Sequence, residues 1–106
     1  MTGKFLGKIE EVRYGKSEDN FGLTVLLNFD GNMVQDNILL THYLPDEIEI
    51  DKVEDVIMES FRLQQKLRVL LKDAKCDFVD ELKGKPVELI IEGNILKSWR
   101  ILKEVI

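Results

Sequence analysis

The chain has 106 residues, of which 44% are hydrophobic and 33% charged, and its formal net charge is −5 at pH 7. This length suits a single domain spanning residues 1–106, and this composition is typical of a globular protein rather than a disordered one. No apolar run approaches the roughly 20 residues that cross a bilayer, and the N-terminus lacks a signal-peptide pattern. The single Cys76 excludes an internal disulfide, so we expect a reduced, cytoplasmic setting without membrane contact.

The first predicted strand runs from Phe5 to Tyr14. Its apolar positions change parity near Glu10-Glu11, where a β-bulge would return them to one face of a sheet. Residues 15–20 are polar and predict a loop.

The clearest strand follows from Gly22 to Asp30, with Leu23, Val25, Leu27 and Phe29 on one face. Asp30-Gly31-Asn32 is a strong turn signal, so a third strand is expected from Met33 to Leu40. Residues 41–50 contain Leu44-Pro45 and predict a connector, because proline disfavours helix at the residue before it.

A long helix is predicted from Lys52 to Ala74, with Asp51 as its N-cap. Its apolar residues recur at about 100° per residue and form one broad face. They are Val53, Val56, Ile57, Leu63, Leu67, Leu70, Leu71 and Ala74. A short helix at Phe78 to Leu82 is ended by Gly84 and Pro86.

A closing hairpin is predicted from two β-rich runs, Val87 to Glu92 and Ile95 to Lys103, that flank Gly93-Asn94. The complete order is β-β-β-α-β-β. It predicts an α+β fold in which a mixed, mostly antiparallel sheet of about five strands packs on one long helix. An OB-like barrel has the same order. The open sheet is favoured, because a helix of roughly 23 residues is about 35 Å long and exceeds what a barrel needs.

Few residues indicate chemistry. His42 is the only histidine and Cys76 the only cysteine, so the sequence predicts no metal site of the His/Cys type, no cofactor and no catalytic group. The chain could also be a small enzyme with a carboxylate site in its N-terminal half, formed by Asp19, Asp30 and Asp36. Ordinary hydrogen bonding of Asx side chains in turns is the favoured interpretation of these residues.

Lys97, Trp99 and Arg100 in the last strand could stack and hold single-stranded nucleic acid. We favour a core position for Trp99 instead, because Ile95, Trp99, Ile101 and Val105 share one parity. The net negative charge also argues against sequence-independent binding to a phosphate backbone.

The helix offers a second possible interface. Met58, Val69 and Cys76 lie nearly opposite the main apolar face, with Arg62 and Gln65 between them. Such a stripe indicates either scattered surface residues or contact with a target protein or a second copy of the chain. Acidic residues are dense from Asp46 to Glu59, and they include Glu54 and Asp55. Helix-dipole stabilisation accounts for part of this acidity.

Three segments carry a resemblance to a known group of proteins. They are residues 8–15 with 19–25, residues 70–75, and the closing segment from Leu82 to Ile106. In these segments the chain resembles small, uncharacterised proteins encoded by bacteriophages and prophages. Members of that group often carry a Trp-Gly segment at the third strand, where this chain has Met33-Val34-Gln35. The resemblance implies a phage or prophage origin and a bacterial host cell, and it assigns no activity and no functional residue.

The leading hypothesis is a non-enzymatic accessory protein that binds a host or phage protein. One specific form is a counter-defence inhibitor whose acidic segment, including Glu54, Asp55 and Glu59, occupies a basic nucleic-acid groove. The alternatives are a replication or recombination accessory domain that binds single strands, and the small carboxylate-site enzyme.

Overall fold

The structure is a computed structural model that describes residues 1–17, 20–42 and 50–106. Side chains are described for residues 1–15, 22–37 and 51–106. Most of the predicted connector at 41–50 therefore lies outside the described residues. The five strands are β1 (Gly3–Ser17), β2 (Asn20–Phe29), β3 (Asn32–His42), β4 (Pro86–Glu92) and β5 (Ile95–Ile101). The helix α1 is Val53–Asp73, and short 3-10 helices form at Ile50–Lys52, Val79–Leu82 and Lys103–Val105.

The strands form one antiparallel sheet in the order β3-β2-β1-β4-β5, and the fold is α+β as the sequence predicts. The sheet is curled into an OB-like half-barrel, so that its two edge strands, β3 and β5, approach each other. No strand pairing joins β3 to β5 within the described ranges. The sheet thus combines the two expected architectures, because its edges are open as in a sheet and its curvature is that of a barrel.

The central strand β1 pairs with both β2 and β4, and its length makes the curvature possible. A register shift between Ile9 and Glu11 confirms the predicted bulge, which bends the strand and increases its twist. The loop prediction is wrong for residues 15–17 and 20, because β1 and β2 continue to a pair between Ser17 and Asn20, and residues 18–19 lie outside the described residues. Backbone pairing satisfies the N–H and C=O groups there, and it does not require apolar side chains.

Both predicted hairpin turns are confirmed. Asp30 and Gly31 have φ of 51° and 80°, and Gly93 and Asn94 have φ of 59° and 66°. Positive φ at both central residues defines the type I′ turn, whose twist matches that of the flanking strands.

The core lies on the concave face of the sheet. Its buried side chains are Ile9, Leu23, Val25, Leu27, Phe29, Ala74, Leu82, Val87, Leu89, Ile91 and Ile101. From α1, Leu63 is buried, and Leu67, Leu70 and Leu71 are partly buried against this cluster. Among the described helices, none is both long and apolar enough to cross a membrane.

Two helix predictions are corrected. The N-cap of α1 is Lys52, which makes no side-chain cap hydrogen bond, because Asp51 is held in the preceding 3-10 helix. The predicted apolar face of α1 is also buried over only part of the length of the helix. Val53 and Ile57 are exposed, and so is Phe61 one turn further on. The C-terminal half of α1 carries the residues that pack on the core, and the N-terminal half extends away from it.

One prediction for β5 is also wrong. Ile95 and Val105 are exposed, and Leu96 packs against the core in their place. A register shift between Ile90 and Ile91 changes the parity of the hairpin, so that Leu96 lies opposite Ile91. Trp99 and Ile101 keep the expected side, because both follow the irregularity.

Candidate binding site

An open groove of about 770 Å³ lies between α1 and β5. We refer to it as the α1–β5 groove. It is lined by Arg62, Gln65, Lys66, Val69, Leu70 and Asp73 of α1, by Ser98, Trp99, Arg100 and Ile101 of β5, and by Asp36 of β3.

The helix presents one side to this groove because of its period. Arg62, Lys66, Val69 and Asp73 recur at spacings of four, three and four residues, which places them on one face. Leu70 turns further towards the core. The helix thus forms one wall of the groove. This wall is polar at Arg62 and Lys66 and apolar at Val69, whose side chain is 57% exposed.

The groove brings together residues that the sequence places in three separate hypotheses. Arg62, Gln65 and Val69 come from the helix stripe, and Trp99 and Arg100 come from the predicted nucleic-acid site. Asp36 comes from the carboxylate hypothesis. The other predicted residues do not line the groove. They are Glu54, Asp55, Met58 and Glu59 in the N-terminal part of α1, and the exposed Lys97 in β5.

Trp99 joins the two edges of the curled sheet. Its half-buried ring packs against the core, and its Nε1 donates a hydrogen bond of 2.6 Å to Oδ2 of Asp36. The bond links β5 to β3 through side chains where no backbone ladder joins them. Trp99 therefore packs against the core, as the favoured interpretation of the sequence expects, and it also forms part of the groove wall.

We expect the Trp99–Asp36 hydrogen bond to contribute to stability. Trp99→Phe and Asp36→Ala should each lower the free energy of unfolding by about 1.5–3 kcal/mol, the usual value for a hydrogen bond to a charged group. The double variant should lose less than the sum, because either change removes the same bond. Urea denaturation followed by circular dichroism measures all three, with Gln35→Ala on the opposite face of β3 as the control.

Arg100 projects from the other face of β5, opposite Glu88. Its Nε lies 3.3 Å from Oε1 of Glu88, and its Nη1 lies 2.7 Å from Oε1 of Glu104. The hydrogen bond to Glu104 is the main cause that raises the pKa of Arg100. The pKa of the Glu104 carboxyl is lowered, first by its own backbone N–H and then by Arg100. The charge of Arg100 is therefore compensated by two carboxylates.

Replacement of Arg100 tests this arrangement. In Arg100→Gln the pKa of Glu104 should rise but remain below its ordinary value, because the larger cause, its backbone N–H, is retained. An NMR titration of the side-chain carboxyl measures the change. Arg13→Gln, which removes a distant ion pair with Glu11, should leave the pKa of Glu104 unchanged.

The uncompensated charge of the groove is positive. Asp36 accepts the hydrogen bond from Trp99, and Asp73 lies 3.9 Å from Nζ of Lys103. Arg62 and Lys66 form no ion pair with any residue that the structure describes. This wall of α1 is therefore locally basic on a chain whose net charge is −5.

Asp30 and Asp36, two of the three residues of the predicted carboxylate site, do not lie close together. Asp30 lies in the β2–β3 turn and Asp36 lies six residues along β3, which corresponds to about 20 Å in an extended strand. Asp19 lies outside the described residues. In the described part of the chain, no group of three or more His, Cys, Asp or Glu side chains could hold a metal ion.

Cys76 is half-buried just after α1, and burial is the main cause that raises the pKa of its thiol. A raised pKa lowers the thiolate fraction at neutral pH, so the side chain is suited to packing. The side chain of His42 lies outside the described residues.

The convex face of β2 and β3 is uncharged, and it carries polar side chains together with the apolar Leu26 and Met33. Thr24 Oγ1 and Gln35 Nε2 both donate to Oδ1 of Asn37, at 3.3 and 3.1 Å, and Asn28 donates to Glu10. OB-folds that bind oligonucleotides use this region with aromatic and basic side chains. The described side chains of β2 and β3 place no aromatic ring on this face.

We compared the chain with protein-family models, curated proteins and solved structures, and none of them matches it. The α1–β5 groove is therefore interpreted from its own geometry.

Proposed function

We propose that this chain is a non-enzymatic accessory protein of a phage or prophage, and that it binds a host or phage protein through the α1–β5 groove. The observation that carries the proposal is the groove itself, in which Arg62, Gln65 and Val69 of α1 lie across a concave surface from Trp99 of β5. The origin of the chain rests on the resemblance described above.

The composition of the groove supports binding to a protein. Leu70, Trp99 and Ile101 provide an apolar floor, and Arg62 and Lys66 provide a polar rim. An apolar centre with a polar rim is the usual anatomy of a protein interface. Trp and Arg are also the residue types that most often dominate binding energy at such interfaces. The groove is open along the helix, which suits a segment of polypeptide.

Comparative capture tests the proposal. Tagged wild-type protein, Val69→Glu and Ile95→Glu are each used to capture proteins from a bacterial host lysate, with mass spectrometry as the readout. Val69 and Ile95 are similarly exposed, at 57% and 62%, but only Val69 lines the groove. Because a bound partner would bury position 69, replacement of the apolar Val69 side chain by a carboxylate should weaken binding by about a hundredfold, or roughly 3 kcal/mol.

The expected result is a protein that wild type and Ile95→Glu both retain and Val69→Glu loses. Thermal denaturation should show that both variants remain folded, because both side chains are exposed. Capture of the same proteins by all three variants would refute the groove as the binding site.

A counter-defence inhibitor remains the more specific form of this proposal. Asp51, Glu54 and Asp55 are exposed at the start of α1, and Glu59 is half-buried. The acidic residues at 46, 47 and 49 lie outside the described residues. Reversal of Glu54, Asp55 and Glu59 to lysine should abolish binding to a partner with a basic groove. Unchanged binding would refute the counter-defence inhibitor with an acidic binding surface, and the α1–β5 groove would remain the proposed binding site.

Binding to single-stranded nucleic acid is the rival function. Trp99 is held by Asp36, and the charge of Arg100 is compensated by Glu88 and Glu104, so among these three residues Lys97 is the cation without a described ion pair. This arrangement offers weak support for stacking on bases. Fluorescence anisotropy with a labelled oligothymidylate at low salt should show no binding, and salt-dependent binding would favour the rival.

A further inference from the structure

We infer that the partner enters the α1–β5 groove as an extended segment that pairs with the free edge of β5 and directs an acidic side chain towards Arg62 and Lys66. This inference rests on the proposed function and specifies the chemistry of the partner. Addition of a strand to an open sheet edge is a known mode of peptide recognition.

The first support is the backbone of β5. The N–H of Leu102 donates to the carbonyl of Pro86 at 3.0 Å, and Val87 lies opposite Ile101 in the same ladder. Hydrogen-bonded pairs alternate with non-hydrogen-bonded pairs in an antiparallel ladder. The N–H and C=O groups of Trp99 and Ile101 therefore point away from β4, towards the open edge that borders the groove. The C=O of Ile101 also accepts a hydrogen bond of 3.4 Å from Nη1 of Arg100, so the groups offered to a partner strand are the two N–H groups and the C=O of Trp99.

The second support is the separation of the two sheet edges. A hydrogen bond between the side chains of Trp99 and Asp36 joins β5 to β3. Paired strands lie about 4.8 Å apart, and no ladder joins β3 to β5 in the described residues, so these two edges stand further apart than paired strands do. An unpaired edge offers its backbone groups to another chain. The described residues leave the edge of β5 in this state.

The third support is charge. Arg62 and Lys66 lie one helical turn apart on the wall that faces β5, and no described residue forms an ion pair with them. The two carboxylates of the groove, Asp36 and Asp73, already have partners. The charge that a ligand must supply is therefore negative.

The spacing along α1 predicts a motif. The midpoint between Arg62 and Lys66 lies five residues from Val69, which is about 7.5 Å along the helix. Alternate residues of a strand lie on one face and about 6.8 Å apart. An acidic residue and an apolar residue separated by one position would thus contact the basic pair and Val69 together.

Two synthetic peptides test this motif. Both are acetylated, amidated octapeptides with a fluorescent label, and one repeats Thr-Glu-Thr-Val twice while the other has lysine in place of glutamate. Anisotropy should show binding of the glutamate peptide and none of the lysine peptide. The net charge of −5 would favour the opposite order, so preference for the acidic peptide reports the local field of the groove.

Matched variants locate the contact. Arg62→Glu should weaken binding of the glutamate peptide by about tenfold, as expected when a charge-assisted hydrogen bond is lost. Arg68→Glu makes the same charge change at an exposed position of α1 outside the groove, and it should leave binding unchanged. Each variant places glutamate four residues before a lysine, so their effects on the helix are matched.

Two changes to the peptide test how it binds: methylation of its backbone N–H groups, and a different spacing of its acidic and apolar residues. Methylation of one alternate set of peptide N–H groups should abolish binding, and methylation of the other set should not, because only one set faces β5. A peptide of the same composition that repeats Glu-Val-Thr-Thr places its acidic and apolar side chains on opposite faces. It should bind more weakly than the first peptide.

Three results would overturn the inference. They are equal binding of the glutamate and lysine peptides, indifference to the position of methylation, and displacement of the peptide by ten-residue oligothymidylate at a lower concentration than unlabelled peptide. If these occur while Val69→Glu still loses a captured protein, the proposed function stands and only the extended mode fails. If Val69→Glu loses nothing, the proposed function itself fails.

Discussion

Gly7→Ala should destabilise the fold by about 3 kcal/mol, the upper range for overpacking a tight site. Gly7 lies in β1 opposite Val87, on the concave side of the sheet. A Cβ atom there would collide with the backbone carbonyl of Asn28, and it would lie only 3.1 Å from Cδ1 of Leu89 and from Cβ of Phe29. The backbone of Asn28 cannot retreat without breaking the β1–β2 ladder, so the strain cannot be relieved by a side-chain rotation.

Urea denaturation followed by circular dichroism measures this loss. Lys8→Ala, in the same strand but with its side chain directed to solvent, should change stability by less than about 0.5 kcal/mol. A wild-type denaturation midpoint for Gly7→Ala would show that the sheet is less tightly curled at this point than the structure indicates. Glycine inside a strand often marks such a close approach of two backbones.

The features that the sequence predicted well are local ones. The two type I′ turns are encoded by the adjacent pairs Asp30-Gly31 and Gly93-Asn94, which tolerate positive φ. The bulge in β1 is visible as a change of parity within one strand. The extent of α1 also follows from a period that repeats within a few residues. Each of these features is determined by residues that are close together in the sequence, so a short segment is enough to predict it.

The groove could not be predicted because it depends on distant residues. Asp36 and Trp99 are 63 positions apart, and only the curvature of the sheet brings them together. Arg62, Gln65 and Val69 belonged to a possible interface in the sequence, but their neighbour across the groove was not identifiable. The parity of Ile95 failed for a related reason, since the register shift between Ile90 and Ile91 has no turn residue to mark it.

The helix gives the second large effect. The sequence places Ile57 and Leu63 on the same apolar face, but Ile57 is 60% exposed and Leu63 is 5% exposed. Leu63→Ala should lower the free energy of unfolding by about 3 kcal/mol, because it removes transfer energy and leaves a cavity. Ile57→Ala should be neutral or slightly stabilising, since alanine has the higher helix propensity and little burial is lost.

Urea denaturation followed at 222 nm compares the two variants directly. Equal losses would mean that the N-terminal half of α1 packs on the sheet as the sequence pattern alone predicts. The variants also separate stability from binding. Leu63 lies between Arg62 and Gln65 and is the buried side chain of this turn of α1. Its truncation should therefore loosen the helical wall of the groove and weaken binding of the acidic peptide, whereas Ile57→Ala should leave the wall and the binding intact.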